Sequence, residues 1–74
     1  MYLGYNEQNK RYGILQDDIW ENEGLHCGEM FYALINKAWA IVRIEFDNIE
    51  NHSHGWYLVG HKSLPLEGLQ VKMR

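Results

Sequence analysis

The sequence predicts an all-β domain, and three observations support that prediction. Residues 29–46 form two apolar, aromatic and β-branched runs around Asn36-Lys37, a pattern typical of a β-hairpin. Shorter apolar runs elsewhere are separated by turn-forming Gly, Asn and Pro residues. Only 74 residues are available. The simplest arrangement is a small five- or six-stranded SH3-like barrel, because closure removes exposed strand edges.

The N-terminal part of the chain predicts a first hairpin. Residues 2–5 and 11–15 are strand-like and flank a polar turn. Gly13 inside the second run predicts a bulge or a close approach of another backbone. Residues 16–23 are acidic and polar around an Ile-Trp pair, which predicts either a loop or a strand with an apolar anchor.

The C-terminal part predicts two more strands. Residues 47–55 read as a hydrophilic, mobile connection, and residues 56–60 as a strand. Pro65 cannot donate to a central ladder, so at most a short helical turn is expected near residues 62–67. The period-two alternation of apolar and polar residues over 69–73 predicts a half-buried final strand.

The predicted domain spans residues 1–74 and has one small core. Nine apolar residues are expected to be largely buried: Ile14, Phe31, Ile35, Trp39, Ile44, Leu58, Val59, Leu69 and Val71. Three Trp, five Tyr and two Phe help to fill a core in so short a chain.

Composition excludes several classes of protein. With 46% hydrophobic and 23% charged residues, the chain resembles an ordinary globular protein and not a disordered one. No apolar run approaches the roughly 20 residues that span a bilayer, and no signal peptide is expected at the N-terminus. The single Cys27 cannot form an internal disulfide. A cytoplasmic location is therefore expected.

Charge is unevenly distributed. Residues 17–50 carry eight acids against two bases, and the segments on either side are net positive. An acidic middle disfavours a phosphate backbone and favours a basic protein surface. Trp20 has two interpretations, a core residue or a partner contact. Because an exposed Trp flanked by acids has the composition of a binding hot spot, the second interpretation adds it to the acids of the predicted partner site. That site comprises Asp17, Asp18, Trp20, Glu21, Glu23, Asp47 and Glu50.

Neither a metal site nor a catalytic site is predicted. The zinc-type ligands are His26, Cys27, His52, His54 and His61, and they lack the paired spacing of structural zinc motifs. Cys27 is expected to be buried and inert, since an adjacent His on a strand would point to the other face. No nucleophile–base pair is visible, so no enzyme activity and no cofactor are expected.

Several segments, together with Trp39, carry a family resemblance. They are Arg-Tyr-Gly-Ile at 11–14, Gly-Leu-His-Cys-Gly-Glu at 24–29, Arg-Ile-Glu at 43–45, Trp-Tyr-Leu-Val-Gly at 56–60 and Gly-Leu-Gln-Val at 68–71. From about residue 10 to the end, the chain resembles a short domain-of-unknown-function family of Firmicutes, their phages and their mobile elements. The Leu-His-Cys-Gly and Trp-Tyr-Leu-Val-Gly segments are the most specific.

The resemblance implies a context and no mechanism, because the family offers no catalytic residues to transfer. Small proteins of such elements often bind and block host defence machinery, including CRISPR nucleases. The expected function is thus a non-enzymatic protein-binding module that blocks or modulates a host protein, with an anti-CRISPR inhibitor as its concrete form. Two alternatives stay open: a small zinc-binding domain using Cys27 and the histidines, and an SH3-like nucleic-acid-binding domain whose aromatics stack bases. The oligomeric state is left open.

Overall fold

The computed structural model describes residues 1–47 and 52–74, and all of its regular elements are β-strands. Seven strands follow one another in the chain: β1 (Tyr2–Asn6), β2 (Arg11–Gln16), β3 (Ile19–Asn22), β4 (Met30–Ile35), β5 (Ala38–Phe46), β6 (Trp56–Leu58) and β7 (Val71–Lys72). They form a three-stranded sheet in the order β1-β2-β3 and a four-stranded sheet in the order β6-β5-β4-β7. All pairings are antiparallel. The all-β prediction is confirmed.

The central hairpin is confirmed in register as well as in type. β4 and β5 pair continuously from Met30 opposite Arg43 to Ile35 opposite Ala38. The two loop residues, Asn36 and Lys37, have φ values of 51° and 67°. Positive φ at both central residues is the geometry whose twist matches that of the flanking strands.

The acidic stretch after β2 contains a strand. Asp17 and Asp18, with φ values of 52° and 63°, make a second two-residue turn of the same kind. The turn returns the chain as β3, so of the two predicted forms, loop or anchored strand, the strand is observed. The pairing of β2 with β3 shifts register between Ile14 and Leu15, next to Gly13. This irregularity agrees with the bulge predicted from that glycine.

Backbone hydrogen bonds join the two sheets without closing them. The amide of Leu3 donates to the Leu69 carbonyl at 2.9 Å, and Gly68 donates back to Leu3 at 2.8 Å. Next to this contact, the Val71 amide of β7 donates to the Met1 carbonyl at 2.8 Å. Because the sheets stay open, the SH3-like barrel is not confirmed. Around Pro65 the chain forms turns, and the described residues contain no helix.

Most of the predicted core is buried, and two members are not. Ile14, Phe31, Ile44, Leu58 and Val71 are essentially inaccessible, while Ile35 and Leu69 are half-buried and pack against them. The prediction that Trp39 and Val59 are buried is wrong: their exposed fractions are 41% and 42%. Trp39 lies opposite Leu34 on the outer face of the hairpin, and Val59 follows the buried end of β6.

The remainder of the core comes from residues that the sequence did not single out. Seven further residues are buried as well: Leu3, Tyr12, Leu25, Ala33, Val42, Trp56 and Leu66. Ser53 is buried among them, and its hydroxyl accepts a hydrogen bond from the Leu66 amide at 2.9 Å. Burial raises the pKa of the Tyr12 phenol, while a hydrogen bond with Ser53 opposes this effect. The described end of the 47–55 connection is therefore tied to the core.

No helix in the described ranges is long and apolar enough to cross a membrane.

Candidate binding surface

The outer face of the four-stranded sheet carries large apolar side chains, and no other element within residues 1–47 and 52–74 pairs with it. Cross-strand neighbours share a face of a sheet, so the register defines this surface. Leu34 lies opposite Trp39, Tyr32 opposite Ile41, and Met30 opposite Arg43. We call this surface the aromatic face: Met30, Tyr32, Leu34, Trp39, Ile41, Arg43, Glu45, Tyr57 and Lys72.

Large apolar groups on this face are open to solvent. Trp39 is 41% and Ile41 is 46% exposed, and Met30 is exposed beside them. An antiparallel sheet that covers a core on one side ordinarily presents polar side chains on the other. The aromatic face breaks that pattern, because β4 places Phe31 inward and the adjacent Tyr32 outward, so both of its faces are apolar.

Lysines lie over the rings of this face. The Lys72 ammonium is 4.6 Å from the ring centroid of Trp39 and 5.7 Å from that of Tyr32. The Lys62 ammonium lies 4.9 Å from the Tyr57 centroid. A cation over an aromatic face is attracted by the ring quadrupole, by about 0.5–1 kcal/mol at exposed sites. The rings and the cations therefore form one continuous surface.

The charge of the aromatic face is positive, although residues 17–50 are acidic as a segment. Two ion pairs lie here, Arg43–Glu45 at 3.1 Å and Lys62–Asp47 at 3.3 Å. Lys72 and Arg74 add two further cations, and Arg74 reaches the face through a contact of its guanidinium with the Met30 sulfur at 3.5 Å.

The three-stranded sheet fills its outer face with its own side chains. Gly4 and Gly13 are cross-strand partners there. The Trp20 ring lies over both: a β-carbon built on Gly13 would be 2.8 Å from it, and one on Gly4 would be 3.6 Å away. Leu15 covers Gly4 from the other side. Trp20, predicted as a partner contact, is half-buried and packs on its own sheet.

The predicted partner residues do not form one patch. Asp17, Asp18, Glu21 and Glu23 are exposed around β3, in the three-stranded sheet. Asp47 follows β5 in the other sheet and pairs with Lys62. Glu50 lies outside the described residues.

A cleft of about 400 Å³ is a second candidate site. It lies on the inner side of the β5 end, away from the aromatic face. Its lining consists of Tyr5, Asn9, Lys10, Arg11, Cys27, Phe46, His54 and Trp56. Cys27 was wrongly predicted to be buried: it is exposed, because residues 26–29 form a turn and not a strand. Gly28, with a φ of 89°, supplies the left-handed position of that turn.

The zinc-type ligands are distributed over several places. The Nδ1 atom of His26 lies 3.4 Å from Oε2 of Glu29. Cys27 and His54 line the cleft. His61 follows β6 in a turn, and His52 is exposed. Across residues 1–47 and 52–74, no group of three His, Cys, Asp or Glu side chains is arranged to hold a metal ion.

Comparison with known proteins identifies the family. The model of a domain of unknown function, DUF5348, matches residues 1–73. The chain belongs to the DUF5348 family. A crystal structure of a Ruminococcus gnavus protein from a structural-genomics consortium is 36% identical, with a TM-score of 0.72. The match covers 96% of this chain and 94% of that one. No curated protein matches.

Sequence reasoning missed the most prominent surface of this DUF5348 protein. A signal was present, since residues 30–35 are apolar at every position and not only at alternate ones. Such a strand either is buried on both faces or leaves one apolar face for a partner. Trp39 and Ile41, two residues apart on β5, carry the same signal, because they share a face.

Proposed function

We propose that this protein is a non-enzymatic protein-binding module that engages its partner through the aromatic face. The observation that supports this proposal is the exposure of Trp39 and Ile41 on a sheet face that none of the described elements covers. Aromatic residues, Met and Arg are enriched in protein interfaces, and all three occur on this face. Contiguous exposed apolar surface on a small domain is typical of an interaction site.

The chemistry of the face favours a protein over a nucleic acid. Bases stack on open aromatic faces. Here the Lys72 ammonium lies over Trp39 and Tyr32, and Lys62 lies over Tyr57. Much of the remaining area is aliphatic, supplied by Leu34, Ile41 and Met30, and the Arg43 side chain, which could contact a base edge, is paired with Glu45. Aliphatic area with aromatic anchors fits a protein surface with a complementary apolar centre.

The charges on the face favour an acidic rim on that partner. Lys72 and Arg74 are in excess over the two ion pairs, so negative groups on the partner would be attracted. A second copy of this chain is disfavoured as the occupant. A two-fold interface places the same patch on both sides, so both copies would bring the same excess positive charge to the contact. The proposal thus moves the interface away from the acids around β3, which lie on the other sheet.

The resemblance to small proteins of phages and mobile elements supports a narrower version of the proposal. In that version the partner is a host protein, and the concrete case is a CRISPR nuclease that the module inhibits by covering part of its surface. The module would act in the cytoplasm. The aromatic face supports the part of this hypothesis that concerns the binding surface. Only the family resemblance supports the part that concerns the identity of the partner.

Two matched substitutions test the proposal. Ile41 on the aromatic face and Ile19 on β3 are both exposed strand residues, at 46% and 68%. Ile41→Asn should weaken capture of the partner from native host lysate by about 30-fold or more, because a desolvated amide in an apolar interface costs about 2 kcal/mol. Ile19→Asn should capture the same protein as the parent chain does.

Two results would contradict the proposal. Equal capture by the parent chain and Ile41→Asn would show that the aromatic face is not the interface. Selective retention on a single-stranded oligonucleotide, abolished by Lys72→Gln, would assign the face to nucleic acid instead. Circular dichroism of each variant, with an unchanged β-sheet spectrum, is the control for folding.

A further inference from the structure

The cleft beside β5 has aromatic walls. Tyr5 and His54 stack with centroids 3.9 Å apart and planes 10° apart. Phe46 and Trp56 form a second, tilted pair with centroids at 5.1 Å. All four side chains line the same concavity of about 400 Å³. That volume is at the lower end of ligand pockets, so it suits one planar ring system with a small substituent.

The charged groups of the cleft are cations. Lys10 and Arg11 line it, and among the described residues no acid joins them in the lining. The Arg11 guanidinium donates to the Leu25 carbonyl at 3.1 Å and lies 5.6 Å from the Trp56 centroid. A guanidinium has five N–H donors, so this contact orients Arg11 and leaves donors for an anion. Lys10 is exposed at the opening.

The backbone around the cleft is held in place by hydrogen bonds. The Trp56 indole N–H donates to the Lys10 carbonyl at 3.1 Å, which ties β6 to the β1–β2 turn. Lys10 and His54 both have left-handed backbone, with φ values of 60° and 57°. Neighbouring Ser53 anchors His54 to the core through the Leu66 amide. Groups that are fixed before a ligand arrives lose less freedom on binding, which favours affinity.

From this arrangement we infer that the cleft is a binding site for a small planar aromatic anion, a single ring system that carries one carboxylate or phosphate. The ring lies against the aromatic walls, and the anionic group meets Lys10 and Arg11. The site is separate from the aromatic face and does not depend on the protein-binding proposal.

Nuclear magnetic resonance of the full, ¹⁵N-labelled chain tests the inference with two anions and their neutral counterparts. Indole-3-acetate is compared with indole-3-acetamide, and phenyl phosphate with phenol. At least one anion should shift the amides of Lys10, Cys27 and His54 with a Kd of about 1 mM or lower. Its neutral counterpart should bind at least about fivefold more weakly. The anion that binds more tightly distinguishes a carboxylate ligand from a phosphate ligand.

A pair of lysines provides the matched variants. Lys10 and Lys37 both lie in hairpin turns with positive φ, at 60° and 67°, and Lys37 does not line the cleft. Lys10→Gln should weaken binding of the anion about five- to tenfold, and Lys37→Gln should change it by less than about twofold. The inference is overturned if neither anion shifts these amides at about 10 mM, if the neutral compounds bind equally well, or if the shifts map instead to Tyr32, Trp39 and Ile41 on the aromatic face. Equal effects of the two Gln variants would overturn it as well.

Discussion

Trp20 and Trp39 lie on the outer faces of the two sheets, and their surroundings differ. Trp20 covers the Gly4–Gly13 pair, and its ring substitutes for the side chains that the glycines lack. Trp39 has Leu34 opposite it and the Lys72 ammonium over its ring, and it remains 41% exposed. The first ring completes its own sheet. The second belongs to the exposed aromatic face, for which we propose a partner, although the flanking sequence suggested the reverse.

Gly13→Ala should be the most damaging of the changes that sharpen this comparison. The new β-carbon would clash with the Asn22 carbonyl oxygen and come within 2.8 Å of the Trp20 ring. Because backbone cannot move aside easily, we expect a loss of about 3 kcal/mol or more in the free energy of unfolding. Urea denaturation measures it. Gly60→Ala is the control, since only its φ of 84° opposes Ala and the expected cost is about 1 kcal/mol.

Trp20→Ala should lower the free energy of unfolding more than Trp39→Ala does. Removing the half-buried Trp20 ring uncovers two glycines and should cost about 2 kcal/mol or more of stability. Trp39→Ala removes an exposed ring and should cost less than about 1 kcal/mol. Thermal and urea unfolding of the two variants, side by side, measure the difference. A larger loss of stability for Trp39→Ala would break the assignment of Trp20 as structural and Trp39 as functional.

Lys72→Gln should lower affinity for the partner about three- to tenfold and reduce its salt dependence. The ammonium over Trp39 and Tyr32 is one of the two excess cations of the face, and its attraction to an acidic rim is screened by salt. Association rates at two ionic strengths measure this effect. Lys10→Gln, at the separate cleft, should leave both quantities unchanged. Salt dependence as strong in Lys72→Gln as in the parent chain would place the charge attraction elsewhere.

Asp18→Gly should give the smallest effect, and a favourable one. Asp18 has a φ of 63° in a two-residue turn that favours Gly at its second position. The substitution should raise stability by about 0.5 kcal/mol and leave partner affinity unchanged. If Asp18→Gly lowered affinity for the partner while raising stability, the interface would have to include the Asp17-Asp18 turn.

The sequence predicts the hairpins well because their signals are local. Asn36-Lys37 lies between two β-rich runs, and the observed positive φ at both residues is the conformation that such a turn adopts. Gly13 likewise marked a close approach, which the Asn22 carbonyl and the Trp20 ring supply. These features depend on a few neighbouring residues.

The face of a strand, in contrast, depends on which sheet covers it. β4 and β5 have apolar residues on both sides near the turn, so alternation could not decide whether Trp39 faces inward. Summing charge along residues 17–50 did not describe one surface, for a related reason. The acids of that segment around β3 lie on the three-stranded sheet. Arg43, which is paired with Glu45, lies on the four-stranded sheet. Charge along the chain does not give the charge of a surface when consecutive strands change sheets.

Calorimetric titration of the captured partner into two variants tests the central claim most directly. One variant is Trp39→Ala. The other combines Asp17→Asn, Asp18→Asn, Glu21→Gln and Glu23→Gln, the exposed acids around β3. If the aromatic face is the interface, Trp39→Ala should weaken binding by about 30-fold or more, and the neutralised variant should bind within about twofold of the parent chain. A large loss in the neutralised variant, with little change in Trp39→Ala, would contradict the account and assign the interface to the three-stranded sheet.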